Sequence, residues 1–421
     1  MYPWQNALER LATATNLHVD ALGLVTMLGA EEVDRSVGRL VSSRYVDFLP
    51  LLGAHVLAGD RFTQKKPGFT LYNLSSGIQT TELAGWFTRW LKSQEFSQVQ
   101  DIVDWAVEEQ RPRRSSAWNV GFLLIGVPLN GMLIALTVLS GDWWGFVNAI
   151  AMVVSVAVRL HLVSQCRRGM DNALRIAKTK AEGDYRERQE KYEAQLRLSE
   201  KQAHLPSEPA GEDGAASPTD APIPPRSLLE VAKAIVITED SKVVTIRAPD
   251  YVIANVFTKN PRVPNPRFYM LARAAGWIAF AFHIIALGMA GLFTQIYTVV
   301  LIIGATVLSV YKVGCDDWML SYKAERAPRV DTESQGGVPR CWVSSTLGVH
   351  CSRYPTLDGE SEPRRQDLFV KLDPNPTELS LMKDWYLIPH KNPHWMLDFQ
   401  DKRDRYNETK ERQRRGTANL G

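Results

Sequence analysis

Two stretches of this chain, residues 118–163 and 268–314, are too long and too apolar to be ordinary core segments. The first runs WNVGFLLIGVPLNGMLIALTVLS, breaks at Gly141-Asp142, and resumes as WWGFVNAIAMVVSVAVRLHLV. The second runs FYMLARAAGWIAFAFHIIALGMAGLF, breaks at Thr294-Gln295, and resumes as IYTVVLIIGATVLSVYKVG. Crossing the roughly 30 Å hydrocarbon core of a bilayer takes about 20 mainly apolar helical residues. Each stretch therefore reads as two spans joined by a minimal turn. The pattern predicts a mainly α, polytopic membrane protein: four transmembrane helices in two hairpins, with helical cytoplasmic regions and a small β-hairpin module.

Most of the chain lies outside those stretches. Its 421 residues are 45% hydrophobic and 23% charged, and the mean hydropathy is −0.18. That leaves enough polar sequence for one or two small soluble domains. A net charge of +3 is too small to imply a nucleic-acid partner, and four cysteines at irregular spacing make no disulfide framework. Glu9 and Arg10 stand where a leader would be apolar, so insertion is expected to be directed by the spans.

Orientation follows the basic residues near the spans. Arg111, Arg113 and Arg114 precede the first, and Arg159, Arg167, Arg168, Arg175 and Lys178 follow the second. Lys259, Arg262, Arg267 and Arg273 precede the third, and Lys312, Lys323, Arg326 and Arg329 follow the fourth. Neither turn carries a basic residue. Both termini and the middle segment are thus expected in the cytoplasm, and the sequons at Asn73 and Asn407 are expected to stay unglycosylated.

Taken in order, 1–115 reads as a helical cytoplasmic region. It has an apolar face at Leu83, Trp86, Phe87, Trp90 and Leu91, and another at Phe96, Val99, Ile102, Val103 and Ala106. The helix at 81–92 suits either a small core or an interfacial position with Trp86 and Trp90 in the headgroups. The first hairpin is 118–163, and a charged helix over 164–204 continues it as a stalk or short coiled coil. Residues 205–226 have the composition of a disordered linker. A small α/β module at 227–266 holds strands at Ala234–Thr238 and Val243–Arg247 and a helix near Asp250–Thr258. The second hairpin, 268–314, leads to a C-terminal region, 315–421, that is loop-rich from Ala327 to Asp373. Asn375-Pro376 and Asn392-Pro393 there mark two helix starts. The basic tail that follows has acids interspersed.

Within the third span Ala272, Gly276, Ala279, His283, Ala286 and Ala290 recur at spacings of three and four. Such a stripe of small residues lets helix backbones approach closely in lipid. The other spans carry polar positions of their own: Asn119, Gly126 and Asn130 in the first, Asn148 and Ser155 in the second, Thr298 and Ser309 in the fourth. His283 is an intramembrane ionisable group, expected to bond Asn130 or Asn148 or, alternatively, to lie on a transport path. Arg159, Arg273 and Lys312 are expected to snorkel. His283, Gly276, Asn130, Asn148 and Gly126 are thus the candidate packing or pathway residues.

No phosphate-binding loop, dinucleotide fingerprint, zinc-protease or nucleophile-elbow motif is present, and Cys341, His350, Cys351, His390 and His394 fit no common zinc spacing. No cofactor, metal or catalytic residue is expected. VVTIRAP (243–249) and NPRFYMLARAAGWIAFAFHIIALGMA (265–290) resemble segments of multi-pass membrane proteins of filamentous fungi that have no known activity, which implies a membrane protein and no particular chemistry. The two-hairpin layout is similar to that of reticulon-type membrane-shaping proteins. The expectation is a non-enzymatic anchor, scaffold or membrane-shaping protein whose partners are the lipid bilayer and proteins met through its cytoplasmic regions. The alternative is a small channel or transporter subunit acting as a homo-oligomer.

Overall fold

The computed structural model of the chain describes residues 33–34, 36–41, 43, 46–51, 53–58, 63–96, 99–108, 127–203, 231–313, 315, 317, 341–354, 364–389 and 391–418. In chain order these form α1 (Gly53–Ala58), β1 (Thr70–Asn73), β2 (Ile78–Thr80), α2 (Gly85–Ser93), β3 (Asp101–Val107), α3 (Val127–Leu139) and α4 (Trp143–Ala203). There follow β4 (Val231–Ile237), β5 (Val243–Pro249), α5 (Pro266–Met289), α6 (Leu292–Val310), β6 (Cys341–Trp342), β7 (Leu347–Arg353), α7 (Arg365–Leu372), α8 (Pro376–Asp384) and α9 (Pro393–Ala418).

Outside the apolar helices the described residues build one seven-stranded sheet of order β2-β1-β4-β5-β3-β7-β6. Only β3 and β5 pair in parallel; every other neighbouring pair is antiparallel. The expected hairpin is there as β4–β5, but it is no separate module. It forms the middle of a sheet whose outer strands come from the N-terminal and C-terminal regions. A hairpin alone is marginal in water, and the flanking strands supply what it lacks. The short helix after it, Asp250–Val252, opens into a π-helical turn at Ile253–Phe257.

Alternation along the strands splits the core into two layers. Ala232, Ala234 and Val236 of β4, Val244, Ile246 and Ala248 of β5, and Val103 and Trp105 of β3 face α2 and the middle of α4. Ile235, Val243 and Ile102 face the other way, onto α7, α8 and α9. Residues 101–107, expected on a helix, are strand β3. Ile102, Val103, Val107 and Trp105 suit a strand as well as a helix, and pairing with β5 on one side and β7 on the other decides the matter. The segment expected as loop likewise contains β6 and β7.

α2 settles the choice between core and interface. Trp86, Phe87 and Trp90 have no exposed surface and interlock with Trp105 and Phe257, Phe87 lying flat on Phe257 at 4.2 Å. The headgroup placement of Trp86 and Trp90 is therefore wrong. Arg89 from the same helix is buried too, held by Asp34 at 3.0 Å and by the carbonyls of Gln64 and Gly85. Asn73, in the first sequon, is buried and donates to Asp250 at 2.8 Å. The two helix starts read from Asn-Pro pairs hold. The Asn375 side chain accepts from the Glu378 amide at 2.7 Å with Glu378 returning the bond, and Asn392 accepts from the Trp395 amide.

Among the described residues three helices are long and apolar enough to cross a membrane: α4, α5 and α6. The described part of α3 is a shorter apolar helix. α5 and α6 turn outward Phe268, Ile278, Phe282, Ile285 and Val300, each more than half exposed. They turn inward the polar and small residues, an arrangement suited to lipid rather than water. α4 serves two cores. Ala149 and Met152 pack with Leu287, Val299 and Ile302 in the bundle, while Leu162, Cys166, Met170 and Leu174 pack under the sheet. Only beyond about residue 178 does it run largely exposed, as the expected stalk.

Candidate functional site at the junction of bundle and sheet

The small-residue stripe of α5 is a packing face. Gly276, Ala279, His283, Ala286 and Ala290 are all buried, and α5 lies closely along α4. His283 does not bond Asn130 or Asn148: both imidazole nitrogens are buried with no hydrogen-bond partner among the described residues. Asn148 instead donates to Thr298 of α6 at 3.0 Å. Met152 and Ser155 of α4, with Ala151, Ala279 and Ile302, line a cavity of about 10 Å3 beside His283. That volume suits no more than one water molecule. Asn130 is half-buried on α3; Gly126 and Asn119 lie outside the described residues.

Pro50 and Leu51 close the same cavity, and they expose an element that periodicity alone did not reveal. Val46–Phe48 forms a single 3-10 turn, and α1 follows it against α4 and α5. His55 stacks on Phe280 with ring centroids 4.2 Å apart. Non-helical backbone packed against apolar helices leaves carbonyls that must find donors, and arginines supply them. Arg159 donates to the carbonyls of Asp47 and Leu49, both at 2.6 Å. Arg167 reaches those of Leu40 and Val41 at 2.9 and 2.8 Å, and Arg273 reaches that of Ala58 at 2.8 and 2.5 Å. Arg159 and Arg273 therefore do not snorkel; they clamp the N-terminal segment to the helices. The signal was the apolar run FLPLLGAHVLA at 48–58, too short to span but of re-entrant or interfacial length.

Lys312 belongs to a second clamp. Asp317 is fully buried, 3.0 Å from Arg39, 3.2 Å from the Gln94 amide and 3.9 Å from Lys312. Arg39 also lies 3.0 Å from the Cys315 sulfur, and burial pushes that thiol up to about 11. This cluster ties the end of α6 to α2 and the N-terminal segment.

At the other end of the bundle the α3–α4 turn is joined to the α5–α6 turn. The carboxylate of Asp142 accepts from the Gly145 amide, capping α4, and from the Gly291 amide and Thr294 hydroxyl at 2.9 and 2.7 Å. The second turn sits at Ala290-Gly291, four residues before the expected Thr294-Gln295. Those two polar residues are instead absorbed in the first turn of α6, where Gln295 donates to the Ala290 carbonyl.

A cavity of about 320 Å3 lies where α4 leaves the bundle, between α4, Asp47 and the β6–β7 turn. Arg159, Arg167, Arg168, Ser164 and Asp171 of α4 line it, with Ser344 and Ser345 opposite. Asp171 accepts from the amides and hydroxyls of Ser345 and Thr346, fixing the turn on the helix. Cys341 and Cys351 lie on strands β6 and β7, and His390 lies outside the described residues. Among the described residues no group of three or more His, Cys, Asp or Glu side chains is disposed to hold a metal ion.

The fold so described is a mixed sheet layered with helices and continuous with a bundle that contains three membrane-length helices. No known protein family, curated protein or solved structure matches the chain.

Proposed function

We propose that this is a non-enzymatic integral membrane protein, an anchor or scaffold that holds a sheet domain at fixed height and orientation on the cytoplasmic face of a membrane. The observation that carries this reading is α4. One uninterrupted helix of 61 residues is shared between the core of the bundle and the core of the sheet domain, so the domain has no hinge at the membrane surface. Arg159, Arg167 and Arg273 brace the same junction. Four full spans with both termini cytoplasmic remain part of the proposal, on the strength of the basic flanks.

The test is thiol labelling at exposed turn positions, Ser140→Cys and Met289→Cys, in a cysteine-free background. Asp142 and Gln295 are unsuitable, since both hold the turns together. An impermeant reagent applied from the side opposite the basic flanks should label both positions. Labelling only after detergent would replace full spans by hairpins wedged into one leaflet, which favours membrane shaping. One observation favours a channel or transporter subunit: the unpartnered His283 beside its small cavity. On that reading His283→Ala abolishes flux with assembly intact; on the scaffold reading it alters stability alone.

A further inference from the structure

The cavity at the exit of α4 has a position, a charge and a donor set that nothing in the anchor reading requires. Arg159 lies 16 residues beyond Trp143, and Asp171 lies 28 beyond it, which is about 24 and 42 Å along a helix rising 1.5 Å per residue. Hydrocarbon is roughly 30 Å thick and each headgroup layer adds about 5–7 Å. Counted from Trp143 at the far hydrocarbon edge, Arg159 falls just inside the near edge and Asp171 just beyond the headgroups, so the cavity straddles that layer. α5 gives the same level from its own length, because the backbone before it, at Arg262, crosses α4 at Gly169.

Three guanidinium groups face two carboxylates in this cavity. Asp171 is engaged by Ser345 and Thr346, and Asp47 lies 3.5 Å from Arg167. Arg159 and Arg167 are aimed at backbone carbonyls. Arg168 is exposed and has neither an ion pair nor a hydrogen bond among the described residues. Hydroxyls of Ser164 and Ser344 stand on either wall. Arginine and hydroxyl donors around a concavity of about 320 Å3 match a phosphate ester with its substituent, and basic recesses at the cytoplasmic ends of spans are suited to anionic headgroups.

We propose that this cavity binds the phosphate of an anionic ligand, with Arg168 as its principal charge partner and the Ser164 and Ser344 hydroxyls as further donors. The phosphate could arrive on a lipid headgroup or in solution. Only the lipid source rests on the membrane reading above, so failure of that reading and failure of this site are separable.

The experiment uses full-length protein in nanodiscs of neutral phosphatidylcholine, with or without added phosphatidic acid, scored by lipid retention in native mass spectrometry. A second arm adds inorganic phosphate to the protein in neutral detergent and reads the unfolding midpoint against chloride at equal ionic strength. Retained phosphatidic acid, weakened roughly tenfold in Arg168→Gln as expected for one charge-assisted contact, supports the site with a lipid source. A midpoint raised by phosphate, and not in Arg168→Gln, supports it with a soluble source. Arg175→Gln, at an exposed position outside the cavity, should change neither readout. Equal losses in both variants would reduce the effect to general surface charge and overturn the proposal, as would no response in either arm.

Discussion

Gly169 sits where α4 passes the backbone leading into α5, and a Cβ there would come within 2.4 Å of the Arg262 carbonyl oxygen. Backbone on both sides cannot yield as a side-chain tip can. Gly169→Ala should therefore cost about 1–3 kcal/mol, read as a lowered unfolding midpoint. Gly183→Ala on the exposed stretch of the same helix meets nothing within 4 Å and should gain up to about 1 kcal/mol. Asp317 makes a different kind of point. Its loss in Asp317→Asn strands the buried Arg39, a change expected to cost about 3–5 kcal/mol in the same assay. Asp104 carries the pH prediction. Between β5 and β7, burial raises its carboxyl above the usual range while Arg247 pulls it partly back. The folded chain then holds a proton that the unfolded chain releases. Stability should fall as pH rises from the ordinary aspartate value through the raised one. Asp104→Asn should remove that slope and raise the midpoint at neutral pH, leaving the acid end unchanged.

At the scale of elements, the α3–α4 and α5–α6 turns behave as one unit because Asp142 caps α4 and reaches across to the start of α6. Asp142→Ala removes three acceptor contacts and should cost about 1–3 kcal/mol. Limited proteolysis at the turns should accelerate before the sheet domain is affected. The elements also divide by how far their sequence announced them. The stripe on α5, the β4–β5 hairpin and the Asn-Pro helix starts were legible, since each is a local signal: a spacing, a β-branched run around a turn, a cap. Strand β3 was not. Ile102, Val103 and Ala106 match a helical face over so few residues, and only neighbours distant in the chain make them a strand. The segment 46–58 was missed for a related reason, since its arginine donors lie more than a hundred residues away.

For the whole molecule, the consequence of α4 is that bundle and sheet domain share one register. A single alanine inserted between His161 and Leu162 would rotate everything beyond it by about 100° and shift it 1.5 Å. Leu162, Cys166, Met170 and Leu174 would then leave the layer under the sheet. Such a chain should fail to fold or unfold at markedly lower temperature. The same insertion after Arg188, where α4 is exposed, should leave the midpoint unchanged. Equal tolerance at both places would mean that the domain is tethered rather than fixed, and would remove the chief support for the scaffold reading.

By itself the sequence determined which stretches could enter a lipid phase, which face of α5 would be buried and where several helices begin. Hydropathy, spacing and capping act within a few turns of chain, and they survive in any context. Tertiary structure alone decided that strands from three separated regions make one sheet. It also decided that arginines expected to reach for the headgroups would serve buried carbonyls, and that a basic cavity would form at the exit of α4. Those outcomes depend on groups far apart in the chain coming within about 3 Å of one another, and no local pattern encodes such a meeting.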